Sequence, residues 1–430
     1  MQLVVKNIAR VSSAEIDLDG IAVVAGANGT GKSTISRSLM TISSVSRRIN
    51  SLILVERVKS ILSALKRAFK EHGGDFYYSE EAFNGGLESW ASWLSIDWWA
   101  NENSAVAWLK EHHGQEVFMV PLRFLDSEKC IESIRSVKSK IAEALNRSDQ
   151  AYVTYICRRL FKQAFNGQIK PVFSNQADSS ISVEDRENTK LKVSIELADG
   201  EVNSYTEIGR VFYPSVVYFE PLNYVDFVNS MDEPVVDRYS AGGYCSCFVI
   251  KKEPPTNLSF EEQVELDEAK GIIKDIVANI HGRLVDDNAD IKFNEKFSDG
   301  EHLIDVKNIA SGMKTMAAIV RAVENRSIRR GSLLIIDEPE SNLHPQWQVA
   351  FAAFLSAFSK RLGVSLLLNT HSPYFLQAIL KCSKQDGGVC RFYDMERDVS
   401  ADSYHTIDVT KNVDRLFKAM AAPLDDLFAS

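Results

Sequence analysis

Gly26-Ala27-Asn28-Gly29-Thr30-Gly31-Lys32-Ser33 is the stretch of sequence that decides the fold. It fits the pattern G-x-x-x-x-G-K-[ST], in which glycines let successive backbone N–H groups turn toward one phosphate group. The apolar run Ile21–Ala25 precedes it and predicts a buried strand, and a helical segment starts near Lys32 and covers residues 34–40. Because strand, loop and helix occur in this order, we interpret the stretch as a phosphate-binding P-loop and not as a chance glycine-rich turn.

The P-loop predicts which ligands bind and which residues hold them. Lys32 is expected to reach the β- and γ-phosphates, and Ser33 is expected to bind Mg²⁺. The N-terminus of the following helix adds a partial positive charge. The predicted ligands are therefore ATP and Mg²⁺. The predicted nucleotide-binding residues are Gly26, Asn28, Gly29, Thr30, Gly31, Lys32, Ser33 and Thr34.

An acidic motif lies near the other end of the sequence. Ser332-Leu333-Leu334-Ile335-Ile336-Asp337-Glu338-Pro339 contains four apolar residues that predict a buried strand ending in two carboxylates. Asp337 is expected to hold Mg²⁺, since this hard cation prefers oxygen ligands. Glu338 is expected to act as the general base that polarises the attacking water. Alone the motif is also compatible with a solvated turn, but together with the P-loop it indicates the second half of one ATP site.

The residues after this strand resemble a known family. Asp-Glu-Pro-Glu at residues 337–340 is followed by Ser341-Asn342-Leu343-His344-Pro345, which resembles the Walker B motif and D-loop of ABC-type P-loop ATPases. The branch it resembles contains the SMC, RecF and OLD families and bacterial defence ATPases. The resemblance covers residues 1–42 and 289–400. It implies an α/β fold, in which an ABC-type P-loop NTPase head is split by a largely helical insertion and a small β-rich part.

A shortened signature motif precedes the acidic strand. Residues 308–314, Asn-Ile-Ala-Ser-Gly-Met-Lys, open a predicted helix and resemble the signature of the same branch. They depart from the fuller Leu-Ser-Gly-Gly-Gln pattern. The resemblance implies that Ser311, Gly312 and Lys314 complete the nucleotide site of another subunit.

A histidine motif follows the acidic strand. Thr370-His371-Ser372-Pro373 comes after an apolar strand and resembles the switch histidine of the family, so His371 is expected to sense the γ-phosphate. Glu220, after another apolar strand, is the candidate for the Q-loop. The catalytic residues that the sequence predicts are Glu338, His371 and Lys32.

The predicted domains follow changes of pattern along the chain. Residues 1–44 form the first part of the head, 45–165 a helical insertion, 166–228 a β-rich part, 229–258 a mobile loop and 259–430 the rest of the head. In the insertion, residues 49–69 and 128–165 have apolar residues at helical spacing, over stretches too short for a long coiled coil. We expect its tryptophans to fill a core, with a base-stacking platform as the alternative. They are Trp90, Trp93, Trp98, Trp99 and Trp108.

Composition and charge restrict the partners. The formal net charge of −9 excludes a basic protein that coats nucleic acid. No apolar stretch is long enough to span a bilayer and the first residues lack the layout of a signal peptide, so we expect a cytoplasmic protein without a membrane partner. The six cysteines show no CxxC spacing, which favours free thiols over a metal or disulfide site.

Three functions are compatible with these motifs. The first is the sensor or regulatory ATPase of an anti-phage defence system, similar to those of the Septu, PARIS and retron systems, which gates a separate nuclease or toxin. The second is a DNA-repair or DNA-clamping ATPase similar to RecF and SMC proteins, and the third is a transporter ATPase. We favour the first, because only about sixty residues follow His371, too few for the nuclease domain of an OLD-type protein.

The expected partners are further copies of the chain and a separate effector. The resemblance implies a head-to-tail homodimer, or a larger homo-oligomer, held together by shared ATP. Direct contact with DNA would require local basic groups. A solvated helical face is the simpler explanation for each group found. The groups are Arg135, Lys138, Lys140 and Arg147; Arg158, Arg159 and Lys162; and Arg326, Arg329 and Arg330.

Overall fold

A computed structural model describes residues 1–78, 101–111, 118–173, 178–185, 191–209, 213–220, 249–250, 252–288 and 290–420. The chain divides into two compact units. Met1–Arg47 and Arg159–Ser430 form the first unit, and Arg48–Arg158 form the second. Most of the predicted mobile loop at residues 229–258 lies outside the described residues. So do Trp90, Trp93, Trp98, Trp99 and the side chain of Trp108.

Some of the described strands form hairpins in both halves of the chain, and others are followed by helices. They are β1 (Gln2–Ile8), β2 (Val11–Asp17), β3 (Ile21–Ala25), β4 (Tyr77–Tyr78), β5 (Phe118–Met119), β6 (Ser179–Glu184), β7 (Lys192–Ala198), β8 (Glu201–Ile208), β9 (Val216–Phe219), β10 (Gly282–Asp287), β11 (Asp290–Phe297), β12 (Gly300–Asp305), β13 (Leu333–Asp337), β14 (Ser365–Thr370), β15 (Cys390–Asp398) and β16 (Ser403–Asp408).

One large mixed sheet organises the first unit. Its strand order is β8-β7-β6-β1-β2-β16-β15-β3-β14-β13-β9. The strands β15, β3, β14, β13 and β9 are parallel neighbours within it. Every residue of β3 and β13 is buried, which explains why both strands read as continuous apolar runs. Since the carboxyl ends of parallel strands share one edge, the loops after β3, β13, β14 and β9 meet there.

Among the described strands, the remaining pairs are antiparallel except for β16 and β2, which are parallel. β1 pairs with β2 and with β6, and β7 joins β6 to β8. The turn between β7 and β8 lies at Asp199 and Gly200, which have φ of 52° and 79°, as a tight hairpin requires. β10, β11 and β12 form a separate three-stranded sheet. The strands predicted within residues 166–228 are therefore present, and three of them extend the large sheet.

The helices cover the parallel part of the sheet and form most of the second unit. They are α1 (Lys32–Glu71), α2 (Glu102–Glu111), α3 (Leu122–Leu125), α4 (Glu128–Asn146), α5 (Asp149–Ala164), α6 (Phe260–Ile280), α7 (Ser311–Glu324), α8 (Pro345–Leu362) and α9 (Pro373–Asp386).

The structure shows how two predicted helical stretches are divided into helices. The segments predicted separately at residues 34–40 and 49–69 belong to one helix, α1, because no glycine or proline interrupts residues 32–71. The stretch at residues 128–165, which has apolar residues at helical spacing, contains two helices, α4 and α5. The break lies at Arg147, whose backbone is extended with ψ of 131°.

The second unit has its own apolar core. The ring of Phe69 lies 5.4 Å from that of Phe76 and 5.0 Å from that of Phe124, between α1 and the short segments that follow it. Buried side chains of α4, such as Ile134 and Ile141, complete this core. Most of the described residues of this unit are helical.

The predicted fold class is confirmed: the protein is α/β, with a P-loop between a buried strand and a helix at the carboxyl edge of a parallel sheet. Among the described helices, none combines the length and apolar character that a membrane span requires.

Candidate nucleotide-binding and catalytic site

The P-loop connects β3 to α1, and its backbone conformation is one that glycine adopts most easily. Gly29 and Gly31 have φ of 78° and 102°, in the left-handed region. A Cβ added at Gly31 would lie 2.6 Å from Cγ2 of Val11, so the loop has no room for a side chain there. The hydroxyl of Thr30 donates a hydrogen bond of 2.9 Å to the carbonyl of Ala27. The result is a compact loop ahead of a long helix, the geometry that binds phosphate.

Lys32 is the first residue of α1 and is folded onto the loop. Its Nζ donates hydrogen bonds of 2.8 Å to the carbonyl oxygens of Gly26 and Ala27. Burial lowers the pKa of Lys32 from its ordinary value of 10.5, and nearby carboxylates oppose that shift. Those carboxylates belong to Glu338, Asp337 and Glu340. The P-loop lysine therefore lies in the electric field of the acidic strand, although about 300 residues separate them.

Asp337, the last residue of β13, is buried and surrounded by donors. Oδ1 accepts hydrogen bonds from Ser36 Oγ at 2.7 Å and Asn369 Nδ2 at 2.6 Å. Oδ2 accepts one from the hydroxyl of Tyr218 at 2.9 Å. Burial raises the pKa of Asp337, and hydrogen bonds from Ser36, Ser33, Tyr218 and Asn369 oppose the rise by stabilising the carboxylate. The two predicted metal ligands, Ser33 and Asp337, are thus neighbours.

The donor set at this position fits Mg²⁺. A hydroxyl and a carboxylate are hard oxygen ligands, and Mg²⁺ in nucleotide sites takes one or two protein ligands beside phosphate oxygens and water. Within the described residues, no group of three or more His, Cys, Asp or Glu side chains could hold a metal without other ligands. The site therefore fits a metal that is bound together with a phosphate.

Glu338 follows β13 in an unusual backbone conformation. Its φ is 50°, a left-handed value that costs a non-glycine residue energy and often marks a functional site. Its N–H donates a hydrogen bond of 2.8 Å to the carbonyl of Asn369, which fixes the turn. Oε2 accepts a hydrogen bond of 2.9 Å from Ser341 Oγ. The side chain is 32% exposed, so the carboxylate is accessible to a water molecule, as a general base must be.

His371 lies beside two carboxylates at the end of β14. Its Nδ1 is 3.3 Å from Oε1 of Glu340 and 3.8 Å from Oε1 of Glu338. The imidazole is 42% exposed, whereas the side chain of Glu340 is 5% exposed. The histidine is therefore anchored on its inner side and open on its outer side.

The signature residues lie close to the acidic strand of the same chain. Ser311 begins α7 and lines a small cleft together with Glu220 and Glu338. A Cβ added at Gly312 would lie 2.6 Å from the carbonyl oxygen of Asn342, so the start of α7 packs directly on the D-loop. Lys314 is 3% exposed. The Nζ of Lys314 lies 3.4 Å from the carbonyl of Lys307 in its own chain. A contact of these residues with a second subunit stays a prediction.

Several contacts at the site involve residues that the sequence did not single out: Ser36, Tyr218, Asn369 and Glu340. Ser36 was detectable, because residues i and i+3 share a helix face and Ser33 was already assigned. The other three required the strand order, which places β9 and β14 on either side of β13. Glu220, the Q-loop candidate, lies 3.5 Å from Nε of Arg37.

Comparison with known proteins covers part of the chain. Residues 256–377 match the family described as "AAA domain, putative AbiEii toxin, Type IV TA system". A "Putative ABC transporter ATP-binding protein MG187 homolog" of Mycoplasma pneumoniae is 23% identical over 251 residues, which are 57% of this chain and 38% of that protein. The "Lipoprotein-releasing system ATP-binding protein LolD" of Neorickettsia sennetsu is 36% identical over 72 residues, 17% of this chain and 30% of that protein. The matches thus span well under half the length of either relative.

Solved structures of SMC heads also align with the chain. The SMC head domain from Thermotoga maritima has a TM-score of 0.39 at 12% identity, covering 95% of this chain and 98% of that one. An SMC head bound to the C-terminal winged-helix domain of ScpA has a TM-score of 0.43 at 12% identity, covering 96% and 98%. Residues 256–377 thus match an AAA-type domain, and parts of the chain are similar to ATP-binding proteins of the ABC type.

Proposed function

We propose that the protein binds ATP with Mg²⁺ and hydrolyses it to ADP and phosphate. The observation that carries this proposal is the meeting of the P-loop helix with the acidic strand. Ser36 donates to Asp337 at 2.7 Å, and Lys32 lies in the field of Glu338. A phosphate-binding loop, a metal-binding pair and an accessible carboxylate are the parts that this reaction needs.

Each residue has a separate role in the proposed reaction. Ser33 and Asp337 would hold Mg²⁺, which neutralises negative charge on the phosphates when bound. Glu338 accepts a proton from the water whose oxygen attacks the γ-phosphorus, and the bond from that phosphorus to the bridging oxygen of ADP breaks. Lys32 would stabilise the charge on the transferred group, and His371 would contact the γ-phosphate.

The variant Glu338→Gln tests the assignment of the base. It keeps the size of the side chain but cannot accept the proton, so we expect ATP to bind normally and phosphate release to slow by about 10²–10⁴-fold. Glu324→Gln is the matched control, since Glu324 is a partly buried carboxylate at the far end of α7. Phosphate release at the wild-type rate in Glu338→Gln would remove the base assignment.

We further propose that two copies associate head to tail when ATP is bound. In this arrangement Ser311, Gly312 and Lys314 of one copy approach the P-loop of the other, and the γ-phosphate joins the two surfaces through charge-assisted hydrogen bonds. Hydrolysis removes that bridge and lets the copies separate. A dimer that persists with ATP in Glu338→Gln and dissociates in wild type after turnover would support this cycle.

The cellular role we propose is regulation of a separate toxic effector in an anti-phage defence system, in the cytoplasm. The family that residues 256–377 match is itself described as a putative toxin, so the match supports a toxin-linked role, and the separate effector is our own proposal. Expression of the chain with its neighbouring genes should protect cells from some phages, and Lys32→Ala should abolish protection. A chain encoded in a replication operon, with no effect on infection, would contradict this role.

DNA clamping is the alternative role, and the described basic groups give it little support. Arg326 is 8% exposed and lies 3.3 Å from Glu265. Arg330 lies 2.7 Å from Glu268. Arg147 lies 2.6 Å from Glu143. These ion pairs reduce the charge available for phosphate contacts. DNA binding that requires ATP and weakens steeply with salt would favour clamping instead.

A further inference from the structure

We propose that Glu340 is a positioning residue for the ATPase reaction, because one of its buried carboxylate oxygens holds the backbone and ring of His371 in place. This inference rests on the proposed ATPase function. It assigns Glu340 a role distinct from those of Asp337 and Glu338, its neighbours in the acidic motif.

The Oε1 atom of Glu340 accepts hydrogen bonds from three consecutive residues. It accepts hydrogen bonds from Thr370 Oγ1 at 2.8 Å, from the His371 N–H at 2.8 Å and from the Ser372 N–H at 3.1 Å. These donors cover the turn that leads from β14 into α9. A single side-chain atom therefore fixes the path of the chain on both sides of the histidine.

The burial of Glu340 indicates that this arrangement serves the site. The residue is 5% exposed, and Oε2 is buried with no hydrogen-bond partner within the described residues. A buried carboxylate is costly unless donors compensate it, and here the donors converge on one oxygen only. A neutral side chain of similar shape would avoid that cost. What the turn requires is therefore the length of the side chain, which brings one acceptor oxygen to three donors, rather than its charge.

The same oxygen also orients the imidazole of His371. Nδ1 lies 3.3 Å from Oε1 of Glu340 and 3.8 Å from Oε1 of Glu338, so Glu340 is the nearer acceptor. A partner at Nδ1 sets the orientation of the ring and leaves Nε2 to face outward. Because Glu340 engages the histidine, the carboxylate of Glu338 remains available for the attacking water.

A second set of bonds closes the turn from the other side. Ser372 Oγ donates to Oε1 of Gln348 at 2.7 Å and accepts from the N–H of Phe375 at 3.2 Å, which caps α9. Gln348 in turn donates to the carbonyl of Leu343 in the D-loop at 3.0 Å. The turn that carries His371 is therefore held between Glu340 and α8, and the removal of Glu340 frees its inner side.

The test compares reach with charge at position 340. Glu340→Gln keeps the acceptor oxygen at the same distance, so we expect its kcat to stay within about threefold of wild type. Glu340→Asp keeps the charge but is one methylene too short to reach the turn, so its kcat should fall about tenfold or more. The KM for ATP should change less than about threefold in both, since neither variant alters the P-loop. Glu324→Asp provides the matched control.

A double variant asks whether Glu340 acts through His371. If it does, Glu340→Asp combined with His371→Ala should be no slower than His371→Ala alone, because the positioned group is already gone. Three results would each overturn the inference. The kcat losses of Glu340→Asp and His371→Ala could multiply in the double variant. Glu340→Gln could be slow while Glu340→Asp is fast, or Glu340→Asp could leave kcat unchanged. Thermal unfolding verifies that the variants are folded. A wild-type protein without ATPase activity would instead contradict the proposed function itself.

Discussion

The hydroxyl of Ser36 donates a hydrogen bond of 2.7 Å to Oδ1 of Asp337, across 301 positions of sequence. The bond joins the P-loop helix to the acidic strand beneath the expected position of the metal. Ser33, one turn earlier on α1, also donates to Asp337. Two serines on one helix face thus contact the same carboxylate, but only Ser33 directly follows the P-loop lysine.

Variants of Ser33 and Ser36 distinguish loss of metal binding from loss of structural support. Ser33→Ala should raise the Mg²⁺ concentration for half-maximal ATP hydrolysis about tenfold or more, because a metal ligand is lost. Ser36→Ala should leave that concentration within about threefold and lower the free energy of unfolding by about 1 kcal/mol, because a buried hydrogen bond is lost. Magnesium titrations of the hydrolysis rate and chemical denaturation of both variants measure the two effects. Equal magnesium requirements in the two variants would contradict the assignment of Ser33.

The contact between Gly312 and the D-loop makes a prediction about stability. A Cβ at Gly312 would lie 2.6 Å from both the carbonyl oxygen of Asn342 and Cδ2 of Leu343, so one element must shift. We expect Gly312→Ala to lower the free energy of unfolding by about 1–3 kcal/mol. Gly271→Ala in α6 is the control, because no atom lies within 4 Å of its added Cβ. Its lower chain entropy when unfolded should stabilise the protein by about 0.5–1 kcal/mol. If both variants shift in the same direction, the packing of α7 on the D-loop is not as described.

The motifs of the candidate site can be read from the sequence more easily than the contacts that support them, for a physical reason. The P-loop, β13 and the residues after β14 are local patterns, in which apolar runs end in glycines or carboxylates. The contacts of Tyr218 and Asn369 with Asp337 depend on the order β14-β13-β9, which no local pattern encodes. The local patterns at residues 34–40 and 49–69 did not show that both belong to α1, although no glycine or proline between them breaks the helix.

The burial of Asp337 predicts how stability depends on pH without metal. Burial raises the pKa of Asp337 above its ordinary value of 3.8, so the folded state holds the proton more tightly than the unfolded state. Stability therefore falls as pH rises from 3.8 through the folded pKa, and the loss remains at neutral pH. Asp337→Asn removes this effect. In buffer with a chelator it should unfold at a higher temperature than wild type at pH 7.5, and the difference should shrink toward pH 4.

Asp305 provides a control of opposite sign. A hydrogen bond from the N–H of Lys307 lowers the pKa of Asp305, so its carboxylate stabilises the fold above pH 3.8 and loses that effect as pH falls. Asp305→Asn should therefore unfold at a lower temperature than wild type at pH 7.5. Thermal unfolding followed by circular dichroism measures both variants. A lower unfolding temperature for Asp337→Asn at pH 7.5 would mean that its hydrogen bonds outweigh its burial.

Ser311 lies in a cleft with Glu338 of its own chain. A mixture of two inactive variants shows whether Ser311 completes the nucleotide site of its own subunit or of the other one. Lys32→Ala should lose ATP binding, because the charge-assisted contacts with the phosphates are gone. Ser311→Arg should bind ATP but fail to turn it over, because the large side chain blocks the start of α7. In a head-to-tail dimer, a mixed pair places both defects in one site and leaves the other site intact.

An equal mixture should then recover about a quarter of the wild-type rate, since half of the pairs are mixed and each has one intact site of two. If Ser311 acts on its own chain, every site in the mixture carries one defect and no rate is recovered. The double variant Lys32→Ala/Ser311→Arg mixed with wild type is the control. A shared site leaves every mixed pair without an intact site, so about a quarter of the wild-type rate remains, from the wild-type pairs alone, whereas a site within one chain leaves about half. A rate near half in that control, beside none in the first mixture, would show that Ser311 acts on the P-loop of its own chain and would overturn the shared site.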